Sequence, residues 1–172
     1  MKVILYIAST INGMAAKIDG NSDWVSPEDS ASFNATCQKA GCAIMGRHTF
    51  EIYNPLPFTE WPNINNLHIV LTSHQSLDTK HPKLLIAKDP KQAIEIAEKQ
   101  GLNQIVVIGG SQTFGSFMKE NLVDELFLDI EPLAFGEGMP LFNAGDFETR
   151  LDLLETKPLS PQTIQLHYRV KK

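Results

Sequence analysis

Cysteine is scarce in this chain, and its two cysteines form no recognised motif. Cys37 and Cys42 are five residues apart in a sequence of 172 residues. That spacing matches neither a redox-active Cys-x-x-Cys pair nor half of a zinc site. The pattern therefore predicts no metal site, and two reduced core thiols in a cytoplasmic protein.

Long apolar runs and clusters of basic residues are also absent. The apolar runs are short and strand-like, far below the roughly 20 residues that a membrane-spanning helix needs. Fifteen lysine and arginine residues stand against twenty aspartate and glutamate residues, which gives a net charge of −5. No basic run offers the kind of surface that nucleic acids bind. We therefore expect the partner to be a small molecule, and neither a membrane nor a nucleic acid.

The apolar residues that are present suffice for one domain covering residues 1–172. Hydrophobic residues make up 42% of the chain, and no linker or repeat divides it. Strands are predicted at 2–8, 42–45, 67–71, 83–86, 104–108 and 125–131, with a closing hairpin at 147–156 and 163–170. Helices are predicted at 27–40, from 47 to the turn at 54–57, at 91–100 and at 111–121. This alternation predicts an α/β fold, in which a mostly parallel sheet of about eight strands carries helices on both faces and ends in an antiparallel hairpin.

Asp29 has two possible roles in the first predicted helix. Ser26 has the position of an N-cap and Asp29 follows it by three residues, so the spacing alone favours an acidic variant of the capping box. Alternatively, Asp29 begins an inward-facing stripe of the helix that continues through Phe33, Thr36, Cys37 and Ala40. A carboxylate half out of water beside an aromatic ring has a raised pKa and can donate a proton. Both interpretations stay open at this stage.

Segments suited to a phosphate-bearing ligand follow four of the predicted strands. They are the long loop 9–25, the stretch Gly46-Arg47-His48-Thr49, the pair Thr72-Ser73, and Gly109-Gly110-Ser111. Ligands of such folds bind outside the carboxyl ends of the strands, and glycines, hydroxyls and an arginine at helix starts suit phosphate. Trp24 is either an anchor for the loop or part of the ligand wall. Residues 54–66, with Phe58 and Trp61, form a second candidate rim.

Several of these segments resemble the dihydrofolate reductase superfamily, and most of all the reductase domain of riboflavin biosynthesis, which shares its fold. The resemblance rests on Met45-Gly-Arg-His-Thr-Phe50, on Val107-Ile-Gly-Gly110 and on Asp29 four residues before Phe33. The riboflavin-type relatives are further resembled by Thr10-Ile-Asn-Gly13, Leu122-Val-Asp-Glu-Leu126, Phe135-Gly-Glu-Gly138 and Pro140-Leu-Phe142. The resemblance implies a three-layer fold that binds NADPH and transfers hydride to a pterin- or aminopyrimidine-like ring.

The resemblance also implies a role for each site residue. Asp29 matches the catalytic carboxylate, and the substrate-binding positions are Asn12, Trp24, Phe33 and Asp129. The 2′-phosphate of the cofactor would face Arg47 and His48. The remaining cofactor-binding positions are Ala8, Gly46, Thr49, Thr72, Ser73, Gly109, Gly110, Ser111, Gln112 and Thr113, with the Gly109–Gly110 bond expected to be cis. Pairing of two copies into a homodimer is expected on the same ground.

Two departures from the relatives bear on the substrate. Dihydrofolate reductases hold the glutamate tail of their substrate with an arginine before the third strand, but Asn66 has that position here and no arginine lies between residues 48 and 149. The riboflavin-type loop often reads Asp-Gly-Lys, whereas this one reads Asn12-Gly13-Met14. The first departure disfavours dihydrofolate, and the second weakens the case for the ribosyl-phosphate substrate too. What the resemblance implies is a reductase like that of 5-amino-6-(5-phosphoribosylamino)uracil. A divergent dihydrofolate reductase and a nucleotide-binding, non-catalytic protein of the same fold are the alternatives.

Overall fold

The computed structural model describes residues 1–57, 60–61, 65–143 and 145–172, and its elements follow one another in α/β order. The strands are β1 (Lys2–Thr10), β2 (Met14–Ala16), β3 (Cys42–Gly46), β4 (Leu67–Leu71), β5 (Leu84–Ala87), β6 (Gln104–Gly109), β7 (Glu125–Glu131), β8 (Met139–Pro140), β9 (Leu151–Pro158) and β10 (Ile164–Val170). The helices are α1 (Pro27–Ala40), α2 (Arg47–Tyr53), α3 (Pro90–Lys99) and α4 (Ser111–Lys119).

The main sheet has eight strands in the order β5-β4-β3-β6-β1-β7-β10-β9. Neighbouring strands from β5 to β7 are parallel, whereas β10 is antiparallel both to β7 and to β9. Strands β3, β4 and β5 follow one another toward one edge of the sheet. Strand β6 lies between β3 and β1, and β7 pairs with the other side of β1. The predicted α/β fold with a closing hairpin is therefore confirmed, and its switch point lies where β6 separates β1 from β3.

Helices cover both faces of this sheet. One face is covered by α1 and α2, whose Cys37 and Phe50 are buried against it. The other face is covered by α3 and α4, whose Ala97 and Phe117 belong to a larger apolar cluster. Because side chains alternate along a strand, β1 contributes to both faces and its residues have almost no polar side chains before the strand ends. Cys37 and Cys42 are both free and buried, as their spacing predicts.

The ends of α1 and α3 follow from local capping. The Ser26 hydroxyl accepts a hydrogen bond from the Asp29 N–H at 3.2 Å, and Pro27 comes next. Asp89 caps α3 in the same way through Gln92, with Pro90 after it. Gly41 ends α1 with a φ of 76°, a left-handed conformation that glycine adopts without strain. These local signals are why both helices begin within one residue of their predicted starts.

Some predicted boundaries are wrong, and the errors lie where tertiary contacts decide. The stretch 9–25 is not all loop, because β2 forms a small second sheet with β8. The first strand of the closing hairpin begins at residue 151 and not at 147, and α4 ends at Lys119 and not at residue 121. No helix in the described part of the chain is long and apolar enough to span a membrane.

The prediction that residues 54–66 form a second ligand-binding rim is wrong for Trp61. Its side chain is 3% exposed and packs in an aromatic cluster with Phe50, Tyr53, His68 and His81. Trp61 is therefore a core residue on the face covered by α2. Phe58, the other aromatic residue named for this rim, lies outside the described residues.

Candidate active site

The predicted cofactor residues lie mainly at the carboxyl ends of β3 and β6, which are neighbours in the sheet. Helix α2 begins directly after Gly46, and helix α4 begins directly after Gly110. Among the described residues no side chain caps either start, and the first N–H groups of the nine-residue α4 have no partner within the helix itself. Such groups, with the positive end of the helix dipole, attract an anion.

Glycines and threonines from the two strand ends meet in close contact. A Cβ atom at Gly46 would lie 2.5 Å from Thr113 Oγ1, so this position accepts no side chain without a shift. Cβ atoms at Gly109 and Gly110 would lie 3.6 and 3.5 Å from Thr49 Oγ1. The Gly109–Gly110 bond is cis, as the resemblance implies. Two hydroxyl groups and the start of α4 therefore converge on one small area of backbone, which we call the glycine–threonine cradle.

Arg47 and His48 lie at the outer side of this cradle. Arg47 Nη1 donates a hydrogen bond to Glu51 Oε1 at 2.7 Å, with about two fifths of the arginine side chain exposed. The His48 side chain is exposed. Because surface ion pairs contribute little to stability, a phosphate group can compete with Glu51 for the guanidinium at small cost.

The other predicted cofactor residues differ in their exposure and in whether their side chains already make hydrogen bonds. Ser73 and Gln112 are exposed, whereas Thr72 is buried and its hydroxyl accepts the His74 N–H at 3.1 Å. The Ser111 hydroxyl donates to the Pro140 carbonyl, so the segment around β8 already occupies it. Ala8, half-buried on β1, lies opposite Asp129 of β7.

Asp29 does not complete a capping box, because the Ser26 N–H has another acceptor. That N–H donates to Glu131 Oε1 at 3.0 Å, and the Ser26 hydroxyl donates to the same oxygen at 2.6 Å. Thr163 donates to the other Glu131 oxygen at 2.9 Å. Glu131 therefore ties the start of α1 to the end of β7 and to the closing hairpin, and the Asp29 carboxyl group is left free to turn inward.

The inward position of Asp29 changes its ionisation. The residue is 4% exposed, and its carboxyl group lies within hydrogen-bonding reach of that of Asp129, which is fully buried. Burial, followed by the bond to Asp129 and by the negative charges of Asp129 and Glu131, raises the pKa of Asp29 from 3.8 to about 9. Asp29 is accordingly protonated near neutral pH and can act as a proton donor.

Asp129 is held from its other side by residues that the sequence analysis missed. The Tyr6 hydroxyl donates to Asp129 Oδ2 at 2.6 Å, and Gln165 Nε2 donates to the Tyr6 oxygen at 3.1 Å. The alternation of side chains along a strand is a signal that could have indicated Tyr6 and Glu131. Glu131 lies on the same face of β7 as Asp129, and Tyr6 lies on the same face of β1 as Ala8. That signal needs the strand register, which places Ala8 opposite Asp129.

The predicted substrate loop is anchored at two points to the segment before β8. Asn12 Nδ2 donates to the Phe135 carbonyl at 2.7 Å, and the Trp24 ring packs edge-on against the Phe135 ring at 5.4 Å. Trp24 thus has the anchoring role, and its buried indole N–H has no hydrogen-bond partner among the described residues. Phe33 packs edge-on against Tyr6 at 5.3 Å, and Tyr6 in turn donates to Asp129. We call Asp29 and Asp129 the acidic pair.

Comparison with known proteins gives relatives over the whole chain. The protein YwjB of Bacillus subtilis (strain 168), described as uncharacterized, is 30% identical over 174 aligned residues that cover 97% of each chain. A solved structure from Shewanella sp. PV-4, named for riboflavin biosynthesis, superposes with a TM-score of 0.85 at 23% identity over both full chains.

A second solved structure is the Thermotoga maritima diaminohydroxyphosphoribosylaminopyrimidine deaminase/5-amino-6-(5-phosphoribosylamino)uracil reductase. It superposes with a TM-score of 0.75 at 18% identity, over 98% of this chain and 56% of that one. The fold is thus that of riboflavin-pathway reductases. The model of the RibD C-terminal domain matches residues 1–165, a range that holds both the cradle and the acidic pair, and the chain belongs to the RibD C-terminal domain family.

Proposed function

We propose that this protein is an NADPH-dependent reductase that transfers hydride to a pterin- or aminopyrimidine-like molecule. The observation that carries the proposal is the burial of Asp29 against Asp129, which raises the pKa of its carboxyl group, on the same edge of the sheet as the glycine–threonine cradle. A proton donor and a phosphate-binding backbone are the two elements that a protein must add to nicotinamide chemistry. Family membership supports the same conclusion.

The residues at the strand ends fit a dinucleotide phosphate. The start of α4 and the hydroxyls of Thr49 and Thr113 would bind the pyrophosphate, while Arg47 and His48 would bind the 2′-phosphate. Thr72 and Ser73 would lie on the adenosine side, and the backbone of Ala8 would bind the nicotinamide amide. When bound, NADPH would supply the hydride.

Asp29 would complete the reduction of a C=N bond by protonating the nitrogen. The substrate would lie between Phe33, which packs on Tyr6, and the loop with Asn12 and Trp24, which is anchored at Phe135. The name of the Thermotoga relative makes 5-amino-6-(5-phosphoribosylamino)uracil the first substrate to test. We place the protein in the cytoplasm, in keeping with its two free thiols.

Dihydrofolate is the weaker candidate substrate. Asn66, at the position of the tail-binding arginine, is 5% exposed, and its amide donates to the Cys37 carbonyl at 2.6 Å. It therefore supports the end of α1 instead of a charged ligand. A charged tail would lose a bidentate partner worth about 1.5–3 kcal/mol.

The proposal is tested by titrating the protein with NADPH and with NADH, following tryptophan fluorescence. We expect NADPH to bind more tightly than NADH, and Arg47→Ala to weaken NADPH binding by about tenfold or more without changing NADH binding. Arg150→Ala, at an exposed arginine before β9, is the matched control and should bind like the wild type. Binding of neither nucleotide would refute the proposal. Tight NADPH binding without turnover, unchanged in Asp29→Asn, would indicate the non-catalytic alternative.

A further inference from the structure

The first turn of α1 is held against β7 by hydrogen bonds that do not involve the Asp29 carboxyl group. Ser26 donates twice to Glu131, which lies two residues after Asp129 on the same face of the strand. Asp29, three residues further along the helix, is thereby brought onto Asp129. The contact of the two carboxyl groups follows from how the helix is attached, and four residues of different elements maintain it: Ser26, Glu131, Thr163 and Tyr6.

The hydrogen-bond donors around the two groups are unevenly distributed. Asp129 Oδ2 receives the Tyr6 hydroxyl, and Gln165 holds the Tyr6 oxygen, so the tyrosine proton is committed to Asp129. Gln165 also donates to Ser32 at 3.0 Å. By contrast, Asp29 Oδ1 and Asp129 Oδ1 are buried, and within the described residues neither receives a hydrogen bond from an N–H or hydroxyl group. A buried carboxylate oxygen without a donor is costly, and one proton between the two groups satisfies both.

The charged groups that face the pair also favour a single proton on it. The titratable groups acting on Asp29 are Asp129 and Glu131 of β7, both acidic. Tyr6 of β1 is kept neutral, since burial and Asp129 raise the pKa of its hydroxyl. A second negative charge on the pair would thus meet like charge and low solvent exposure. Because the Tyr6 hydroxyl donates to Asp129 and so favours its ionised form, the proton resides on Asp29.

We propose that Asp29 and Asp129 form a carboxyl pair that holds a single proton, with Asp29 as its carrier and Asp129 as the positioning residue that retains it. In catalysis, which rests on the proposed function, NADPH would supply the hydride to the substrate carbon, the C=N π bond would break, and its electron pair would take the Asp29 proton at the nitrogen. Both carboxyl groups would then be ionised, and the pair would regain one proton from solvent. The site therefore suits a neutral substrate nitrogen that can take up the proton of the pair.

The pair is tested without any ligand, by NMR titration of protein labelled with ¹³C at the aspartate carboxyl carbons. The Asp29 and Asp129 signals are assigned by their loss in Asp29→Asn and Asp129→Asn. We expect Asp29 to be protonated at neutral pH, and both signals to move in the same step on the alkaline side. In Asp129→Asn the midpoint of Asp29 should fall by about 2 pH units. Asp152→Asn is the charge control and should change neither signal, because the half-exposed side chain of this β9 residue is paired with Lys171.

Tyr6→Phe keeps the ring contacts and removes the donor to Asp129, so it serves if Asp129→Asn does not fold. We expect the Asp129 signal at neutral pH to move towards its protonated position in that variant. Two ionised carboxyl groups at neutral pH, or an Asp29 midpoint unchanged by Asp129→Asn, would overturn the pair. The nucleotide titration separates the two proposals. An intact pair in a protein that binds no NADPH refutes only the reductase. NADPH binding with a protonated Asp29 whose midpoint is unchanged by Asp129→Asn refutes only the pair.

Discussion

Asp29 lies in the first turn of α1, where an acidic side chain usually serves the helix by facing its unpaired N–H groups and its dipole. Here Ser26 provides the cap and Glu131 takes the N–H that a capping box would assign to Asp29. The carboxyl group is instead buried against Asp129, in a place that disfavours its charge. A group placed in this way reduces stability in return for a proton held at neutral pH.

The cost of that placement is measurable as a pH dependence of stability. Because the pKa of Asp29 is raised from 3.8 to about 9, the folded chain keeps a proton between these values that the unfolded chain releases. Its stabilising contribution is complete below about pH 4 and is lost as the pH rises through the folded pKa, by up to about 1.4 kcal/mol per pH unit. In Asp29→Asn, whose amide N–H can replace the carboxyl O–H, this part of the slope should disappear.

Urea denaturation of both proteins at several pH values from about 5 to about 8 measures the difference. We expect Asp29→Asn to gain stability over the wild type steadily across this range. Asp152→Asn should keep the wild-type slope, since its carboxylate is paired at the surface. Equal slopes for wild type and Asp29→Asn would contradict the assignment of a raised pKa.

At the scale of the elements, the sequence predicts those parts that local chemistry decides. Ser26-Pro27 and Asp89-Pro90 mark two helix starts, and Gly46 and Gly109 mark the ends of two buried strands. The pairing of β2 with β8 could not be predicted, because three and two residues of weak strand character pair only through a contact across more than 120 positions of sequence. The orientation of Asp29 was likewise undecided from sequence, because its cause, Glu131, lies 105 residues from Ser26.

The close packing of Gly46 against Thr113, where β3, α2 and α4 meet, leads to a prediction about stability. Gly46→Ala should destabilise the protein by about 1–3 kcal/mol, because the new Cβ would lie 2.5 Å from Thr113 Oγ1. Thermal unfolding measures the effect, and Gly136→Ala is the control, since a Cβ there meets no atom within 4 Å. Thr113→Ala should offset part of the loss in the double mutant. Additive losses would mean that the close contact is not the cause.

At the scale of the whole molecule, the site joins distant parts of the chain. Glu131 connects α1 to β7 and to Thr163 at the closing hairpin, while the cradle joins β3 to β6. The family match extends over residues 1–165, a range that includes the cradle, Glu131 and Thr163. The sequence predicted the cradle well because its glycines follow apolar strands, but the acidic pair depended on the register of β1 against β7.

Exposed leucines lie along the outer strand β9, where we expect a second copy to pair. Leu151, Leu153 and Leu154 are between 38% and 55% exposed on this edge strand, and open edges of this kind pair readily. We expect a homodimer in solution that Leu153→Lys converts to a monomer, as measured by light scattering coupled to gel filtration. Ile52→Lys, at an exposed residue of α2, is the control and should stay dimeric. A monomeric wild type would contradict the expected assembly.

Transfer of the cofactor hydrogen tests the central claim most directly. The protein is incubated with NADPH deuterated at the nicotinamide C4 and with 5-amino-6-(5-phosphoribosylamino)uracil, and in parallel with dihydrofolate, and the products are examined by mass spectrometry. We predict one deuterium in the reduced pyrimidine, little reduction of dihydrofolate, and a rate lower by about 100-fold or more in Asp29→Asn. Bound NADPH with no deuterium in any pyrimidine or pterin product would contradict a reductase.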